Sequence, residues 1–131
     1  MYPQKKLEPA KILFICSSLE PGRDGVGDYT RKLAAALINH GHKAAIIAIN
    51  DRRLEADKWQ GAQTDRDIEI PVLRLSSALP WASRIKTAKK FTDAFDPGWM
   101  SLQYVPFGYH IKGLPFNLGK KLKQIAGSRH W

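Results

Sequence analysis

Cysteine and long apolar segments are both scarce in this sequence. Its 131 residues include one cysteine, Cys16. A single thiol forms no disulfide within the chain, which excludes the disulfide-stapled scaffolds of small secreted proteins, and its place inside an apolar run predicts core packing. No segment approaches the ~20 apolar residues that a transmembrane helix needs, and none precedes Lys11. We therefore expect a cytoplasmic protein rather than a secreted or membrane-spanning one.

Acidic residues are scarce in the second half of the chain. Residues 1–70 contain eleven Lys/Arg and ten Asp/Glu, whereas residues 71–131 contain ten Lys/Arg and only Asp93 and Asp96. The formal net charge is +9. A surface with such an excess attracts nucleic acids, anionic membranes or acidic partners. Because no nucleic-acid-binding motif accompanies the basic residues, we do not expect nucleic acid to be the partner.

The first half of the chain has a strand–helix–strand pattern. Residues 11–16 and 43–49 are continuous apolar runs, which is typical of strands covered on both faces. Between them, apolar residues recur at the three- and four-residue steps of an amphipathic helix: Val26, Tyr29, Leu33 and Leu37. Gly41 suits the turn that ends this helix. A helix that connects two buried strands makes them parallel, so we predict a βαβ unit.

The pattern continues to the end of the chain. We expect a long irregular connection over 50–69, a third strand that starts at Pro71, a helix over 81–95, a fourth strand from 99 and a final helix that closes near Gly127. This alternation predicts an α/β fold with an open, doubly wound parallel sheet, four strands in the order 3-2-1-4 and helices on both faces. Residues 1–131 then form one domain after a tail over 1–10. Residues 127–131 follow a helix and stand where a fifth strand of such a sheet would begin, so we expect a sheet that lacks this strand and is truncated.

Two glycines follow the first predicted strand, at the edge of the sheet where ligands of such folds bind. Gly25 and Gly27 would let a phosphate or sugar oxygen approach the amides at the start of the next helix. The alternative is that they serve only the turn. The dinucleotide signature G-x-G-x-x-G is incomplete, because Thr30 stands where its third glycine would be. The flanking Asp24 and Asp28 suit a hydroxyl-rich ligand better than a phosphate.

The loop after the fourth predicted strand borders the same crevice. Its polar residues that are candidates for ligand contact are Gln103, Tyr104 and His110. His40 and His42 flank the turn at Gly41 with no nearby cysteine or second acidic ligand, so we expect no metal site. We assign no catalytic residue, because no nucleophile motif stands at a strand exit.

Two segments of the chain are similar to one enzyme family. "KILFICSSLEPGRDGVGDYTRKLAAALINHGHKAAIIAIND" resembles the start of the GT-B glycosyltransferases of the family 4 type, and "FDPGWMSLQYVPFGYHIKGLPF" resembles a later strand and loop of the same domain. The likeness spans roughly residues 10–118. It implies a partial Rossmann-like N-terminal domain, which mainly shapes the acceptor side of a hexosyltransferase.

The resemblance also implies roles for particular residues. Gly25, Val26 and Gly27, with the adjacent Asp28, match the loop that approaches the diphosphate of the donor. The donor is a nucleotide sugar, a substrate rather than a cofactor, and no other cofactor is implied. In the family a C-terminal domain holds the donor, and that domain is absent from these 131 residues. The chain alone is therefore expected not to transfer sugar.

The basic residues of the second half admit three explanations. They are expected on two helices: Arg84, Lys86, Lys89, Lys90, Lys120, Lys121 and Lys123. One explanation is a surface that docks on the inner face of an anionic membrane, which would suit a lipid-linked rather than a free sugar acceptor. Another is two solvated helix surfaces with no partner. The third is a different class of protein, a non-catalytic α/β module that binds an anionic partner.

Overall fold

The computed structural model describes residues 9–23, 25–103 and 118–131. They form one five-stranded sheet and three helices. The elements follow in the order β1 (Lys11–Cys16), α1 (Gly25–Asn39), β2 (Lys43–Asp51), β3 (Lys58–Asp65), β4 (Ile68–Ser76), α2 (Trp81–Phe95), β5 (Trp99–Leu102) and α3 (Leu118–Ala126). The fold is therefore α/β, as the alternation of apolar runs and amphipathic segments predicts.

The strands lie in the order β3-β4-β2-β1-β5. β1 pairs in parallel with β2 on one side and with β5 on the other, and β2 pairs in parallel with β4. The predicted βαβ unit is confirmed by β1, α1 and β2. Because the chain leaves β1 toward β2 and later crosses to β5, the direction of winding reverses between β1 and β5.

The prediction of four strands, all parallel and in the order 3-2-1-4, is wrong. Residues 58–65 form β3, which pairs antiparallel with β4, where we expected an irregular connection. Arg66 and Asp67 make the two-residue turn, with φ angles of 48° and 66°. Nearly all of β3 is exposed, so it carries no hydrophobic periodicity. The sheet is mixed, and its antiparallel edge was missed for that reason.

Pro71 is the fourth residue of β4 rather than its first. There β4 is opposed by Ala62 of β3, and its pairing with β2 begins one residue later, at Val72 opposite Ile46. The alternation along the hairpin makes Ala62 and Pro71 a non-hydrogen-bonded pair, so the missing N–H of Pro71 points toward β2, where the pairing of β4 with β2 only begins, and no hydrogen bond to β3 is lost.

Helices cover both faces of the sheet. The core on the α1 side includes Phe14, Cys16, Ala34, Ala35, Ile46 and Val72. The core on the α2 and α3 side includes Leu13, Ile15, Ile47, Leu73, Ala88, Leu122 and Ile125. Successive residues of each central strand alternate between these two cores, as the pleat requires. The prediction that Cys16 is a packing residue is confirmed, since its side chain is fully buried.

The C-terminal residues add one bridge to the sheet. His130 pairs in parallel with Trp99 of β5, and the amide of Met100 donates to the His130 carbonyl at 2.7 Å. The Trp99 and His130 rings stack with centroids 5.2 Å apart. Residues 127–131 thus contribute a single bridge to the sheet, beside β5. No helix of the described ranges is both long enough and apolar enough to span a bilayer.

Candidate functional site

The carboxyl ends of β1 and β5 meet at the point where the winding reverses. The amide of Gln103, just after β5, donates to the Ile15 carbonyl of β1 at 2.8 Å. The side-chain amide of Gln103 donates to Ser101 Oγ at 3.0 Å, and the residue is half-buried. Of the predicted crevice residues, Gln103 lies beside the end of β1 as expected. Tyr104 and His110 lie outside the described residues.

Gly25 and Gly27 lie in the first turn of α1, not in a left-handed turn. The glycine with positive φ in this loop is Gly22, at 73°. A β-carbon built on Gly25 would have no atom within 4 Å, and Gly25 is exposed whereas Gly27 is buried. Gly22, rather than Gly25, therefore meets the conformational demand of the turn. Neither the backbone angle nor the packing requires glycine at residue 25.

Asp28, in the first turn of α1, holds the loop between β1 and α1 through a hydrogen bond. Its carboxylate accepts a hydrogen bond from Arg31 Nη1 at 2.8 Å and from the Gly22 amide at 3.2 Å. Burial opposes ionisation of Asp28, but the hydrogen bonds from Arg31 and Gly22 outweigh burial and hold its pKa below the ordinary value of 3.8. The carboxylate is thus engaged within the loop. Val26, next to it, is half-buried against the core on the α1 side.

The loop from β1 to α1 is also held at Leu19, which is fully buried. The Leu19 carbonyl accepts hydrogen bonds from Arg31 Nη2 at 2.9 Å and from Gln63 Nε2 at 3.2 Å. Arg31 Nε in turn donates to Gln63 Oε1 at 2.8 Å. Side chains of α1 and β3 therefore both hold the loop at the Leu19 carbonyl. Because these bonds tie the loop to regular elements, the start of α1 is held in place before any ligand arrives.

A buried ion pair that was not predicted from the sequence lies at the carboxyl edge of the sheet. Arg74 of β4 donates from Nε to Asp51 Oδ2 at 2.7 Å and from Nη2 to Glu20 Oε2 at 2.8 Å. Burial disfavours the charge on Arg74, but the hydrogen bonds to Asp51 and Glu20 outweigh burial and raise its pKa. The signal in the sequence was a charged residue inside the apolar run that forms β4.

Asp51 stands at the end of β2, where dinucleotide-binding folds place the carboxylate that holds a ribose. Here the Asp51 side chain has no exposure. Besides Arg74, it accepts hydrogen bonds from the amides of Leu19 at 3.2 Å and Arg53 at 3.1 Å. A carboxylate that is fully buried among these partners is not exposed to a ribose hydroxyl. Asp51 is therefore a positioning residue for the loop after β1, and the site is not a dinucleotide site of that kind.

Arg84 is buried, which corrects its assignment to an exposed basic surface. Its guanidinium donates to the Leu79, Ile49 and Ser77 carbonyls and to Asn50 Oδ1, at 2.6–3.1 Å. It lies 3.9 Å from the Trp81 ring centroid, and burial lowers its pKa. The sequence indicated the burial of Arg84 through its spacing, because residue 84 falls on the apolar stripe of α2. Arg84 binds the chain's own carbonyls instead of a partner.

The remaining lysines of the predicted basic surface lie on α2 and α3, on one face of the sheet. Five are exposed: Lys86, Lys89, Lys90, Lys120 and Lys123. Lys121 is half-buried, with Nζ 4.9 Å from the Trp81 ring centroid. Lys89 pairs with Asp93 at 2.7 Å. The surface that these helices present is basic, and it is smaller than the sequence predicted.

Residues with metal-ligand chemistry are dispersed in this fold. Within 9–23, 25–103 and 118–131, no group of three or more His, Cys, Asp or Glu side chains is arranged to hold a metal ion. His42 Nδ1 accepts a hydrogen bond from the Ala10 amide at 2.9 Å, and His40 Nδ1 contacts the Ala36 carbonyl at 2.8 Å. Both histidines thus bind backbone groups around the end of α1.

Comparison with known proteins returned no relative. No protein-family model, no curated protein and no solved structure matches this chain. The chemistry of the site therefore has to be argued from its own residues.

Proposed function

We propose that this chain is the acceptor-side portion of a nucleotide-sugar-dependent glycosyltransferase, in which the start of α1 approaches the donor diphosphate. The observation that carries the proposal is Gly25. It is the first residue of α1, after the loop that leaves the carboxyl end of β1, and neither its backbone angle nor its surroundings require glycine. A glycine at that place leaves open the path by which an anion reaches the amides of a helix N-terminus.

The surrounding residues suit this role. In glycosyl transfer the bond from the sugar to the diphosphate breaks, and negative charge grows on the departing diphosphate. Amides at the start of α1, held in place by Asp28 and by the bonds to Leu19, would stabilise that charge. Gln103, at the end of β5, would offer its amide to sugar hydroxyls. The chain supplies orientation and electrostatic stabilisation, and we propose no catalytic acid or base.

The test is a titration of the isotope-labelled chain with UDP, GDP and their sugar conjugates, followed by amide chemical shifts. Gly25, Val26, Gly27 and Gln103 are expected to shift at millimolar nucleotide sugar. Gly25→Ala should fold normally, because its β-carbon meets open space. It should weaken binding by about tenfold or more if the diphosphate approaches the backbone, which corresponds to ~1.4 kcal/mol.

Gly119→Ala is the matched control. Gly119 is also exposed in the first turn of a helix, α3, and a β-carbon there would likewise meet no atom within 4 Å. It should leave binding unchanged. Unaltered affinity in a folded Gly25→Ala protein would refute the role of that residue, and the absence of any shift with every nucleotide sugar would refute the proposed function.

A second candidate is a module, with no catalysis, that binds an anionic membrane or partner from the cytoplasmic side. The exposed lysines of α2 and α3 favour it, since none but Lys89 has an acidic partner among the described residues. We would compare flotation with vesicles of phosphatidylglycerol and of phosphatidylcholine. Lys120→Glu with Lys123→Glu should abolish binding to the anionic vesicles. Lys32→Glu, an exposed change on α1 across the sheet, should not.

A further inference from the structure

β3 leaves one edge of the sheet open. It is the outermost of five strands, and no described residue pairs with its outer side. Lys58 and Asp65 carry charge at its two ends, whereas the six residues 59–64 are uncharged and include no proline. Proteins usually protect such an edge with central charges, proline, a bulge or a very short strand. The middle of β3 has none of these protections.

The pairing within the hairpin identifies which backbone groups point outward. A two-residue turn makes Asp65 and Ile68 a hydrogen-bonded pair, and such pairs alternate along an antiparallel ladder. Ala62 and Pro71 then form a non-hydrogen-bonded pair, which suits a proline. The Ser76 amide donates to the Asp57 carbonyl at 2.9 Å, so residues 57 and 76 form the hydrogen-bonded pair that this alternation requires. The outward-facing N–H and C=O groups therefore belong to Lys58, Gln60, Ala62 and Thr64.

We propose that β3 pairs antiparallel with β3 of a second copy of this chain, about a two-fold axis at Gly61, so that one sheet runs through both copies. In this register, Lys58 faces Thr64 of the second copy and Gln60 faces Ala62 of the second copy. Each opposed pair of outward-facing residues exchanges two hydrogen bonds. Over residues 58–64 no charged residue is opposed by a like charge, and Asp65 faces Asp57 of the second copy only beyond the last of these pairs.

Trp59 supports this register. Its ring lies over Gly61, so that a β-carbon on Gly61 would stand 2.9 Å from Trp59 Cζ2. Residues 59 and 61 share a face of the strand, so the two Trp59 rings would meet beside the axis. Trp59 is 38% exposed in the single chain, and pairing would cover part of that surface. The glycine at the axis leaves room for the Trp59 ring on that face of the strand.

Charge distribution favours a second copy as the occupant. An antiparallel edge is complementary to itself, because a two-fold axis brings identical strands together in opposite directions. Residues 1–70 are nearly neutral, with eleven basic and ten acidic residues, and the excess of positive charge lies in residues 71–131. Within that second half, β5 and the bridge to His130 lie at the opposite edge of the sheet from β3. Association through β3 therefore joins a segment of the nearly neutral half of one copy to the same segment of the other.

The test is sedimentation velocity over a concentration series, together with amide hydrogen exchange. The wild-type chain should form a dimer as concentration rises, and exchange should slow at Gln60, Ala62 and Thr64. Ala62→Pro removes an outward N–H without touching the ladder to β4, and it should raise the dimer dissociation constant by about tenfold or more, since the bond is lost twice per dimer. Ala62→Thr, which suits a strand, should preserve the dimer.

If Ala62→Pro lowers the melting temperature of the chain, Ala62→Lys provides an independent test of the dimer. A lysine in the middle of the edge should also produce monomers, by the mechanism that natural edges use. A chain that stays monomeric at every concentration overturns the proposal, and so does a dimer that persists in both folded variants. Protection at Met100 and Leu102 in place of β3 would assign the dimer to β5 and overturn it as well. Slowed exchange at β3 only on addition of an extended peptide would also overturn it.

Discussion

Arg74 Nε lies 2.7 Å from Asp51 Oδ2, and this pair joins the carboxyl ends of two neighbouring parallel strands, β4 and β2. The same carboxylate oxygen accepts the Leu19 amide, which belongs to the loop after β1. Three strands thus converge on one buried carboxylate. The loop that leads to α1 is held by an ion pair rather than by apolar packing alone, and the position of Gly25 depends on it.

Asp51→Ala is expected to lower the free energy of unfolding by about 3–5 kcal/mol, because it leaves the charge of Arg74 buried beside Glu20 alone. Urea denaturation measures the change. Asp93→Ala, which removes the surface pairs of this exposed carboxylate with Lys89 and Arg129, should leave the urea midpoint almost unchanged. A loss as small for Asp51 as for Asp93 would contradict the structural role. Asp51→Leu combined with Arg74→Met should cost less than the sum of the two single changes, since neither buried charge then remains and Glu20, which loses Arg74, is partly exposed.

Arg84→Met is expected to lower the free energy of unfolding by about 2–3 kcal/mol, because the Ile49, Ser77 and Leu79 carbonyls each lose a donor. Lys86→Met, two residues later on the exposed side of α2, should stay within about 0.5 kcal/mol of wild type. Thermal and urea unfolding of both variants make the comparison. Equal stability of the two would mean that Arg84 does not act as a buried donor.

The pH dependence of stability is expected to report on Asp28. Its pKa in the folded chain lies below the ordinary 3.8, so the unfolded state binds the proton first as pH falls. The stabilisation is complete above that ordinary value and is lost as pH drops through the folded pKa. Urea titrations across the acid range should show wild type losing its advantage over Asp28→Asn there. A constant difference between the two proteins across this range would contradict the assignment.

Gly61→Ala is expected to move Trp59 rather than unfold the hairpin. The new methyl group would stand 2.9 Å from Trp59 Cζ2, and the ring is the free end of a partly exposed side chain. Stability at dilutions where the chain is monomeric should change by less than about 1 kcal/mol. Quenching of tryptophan emission by acrylamide should rise relative to wild type, with Trp59→Phe supplying the contribution of the other tryptophans. Unchanged quenching would show that the ring does not cover Gly61.

The sequence by itself determined the elements whose periodicity is local. Continuous apolar runs identified β1, β2 and much of β4, and helical spacing identified α1 and α2, including the end of α2, where Asp96 adopts a left-handed φ of 54°. The parallel βαβ unit followed, because a crossover helix between buried strands permits no other pairing. The position of Gln103 followed too, since it lies beside the end of β1.

Only the tertiary structure decided the edge strand and the partners of the buried charges. β3 is exposed along nearly its whole length, so no apolar pattern marks it, and its pairing depends on the turn at Arg66 and Asp67. Arg74 binds Asp51, which is 23 residues away in the sequence, and Glu20, which is 54 residues away. Burial of a charge is tolerated only when a partner is brought to it. Such partners come from other elements, and which elements meet is settled by packing across the whole sheet.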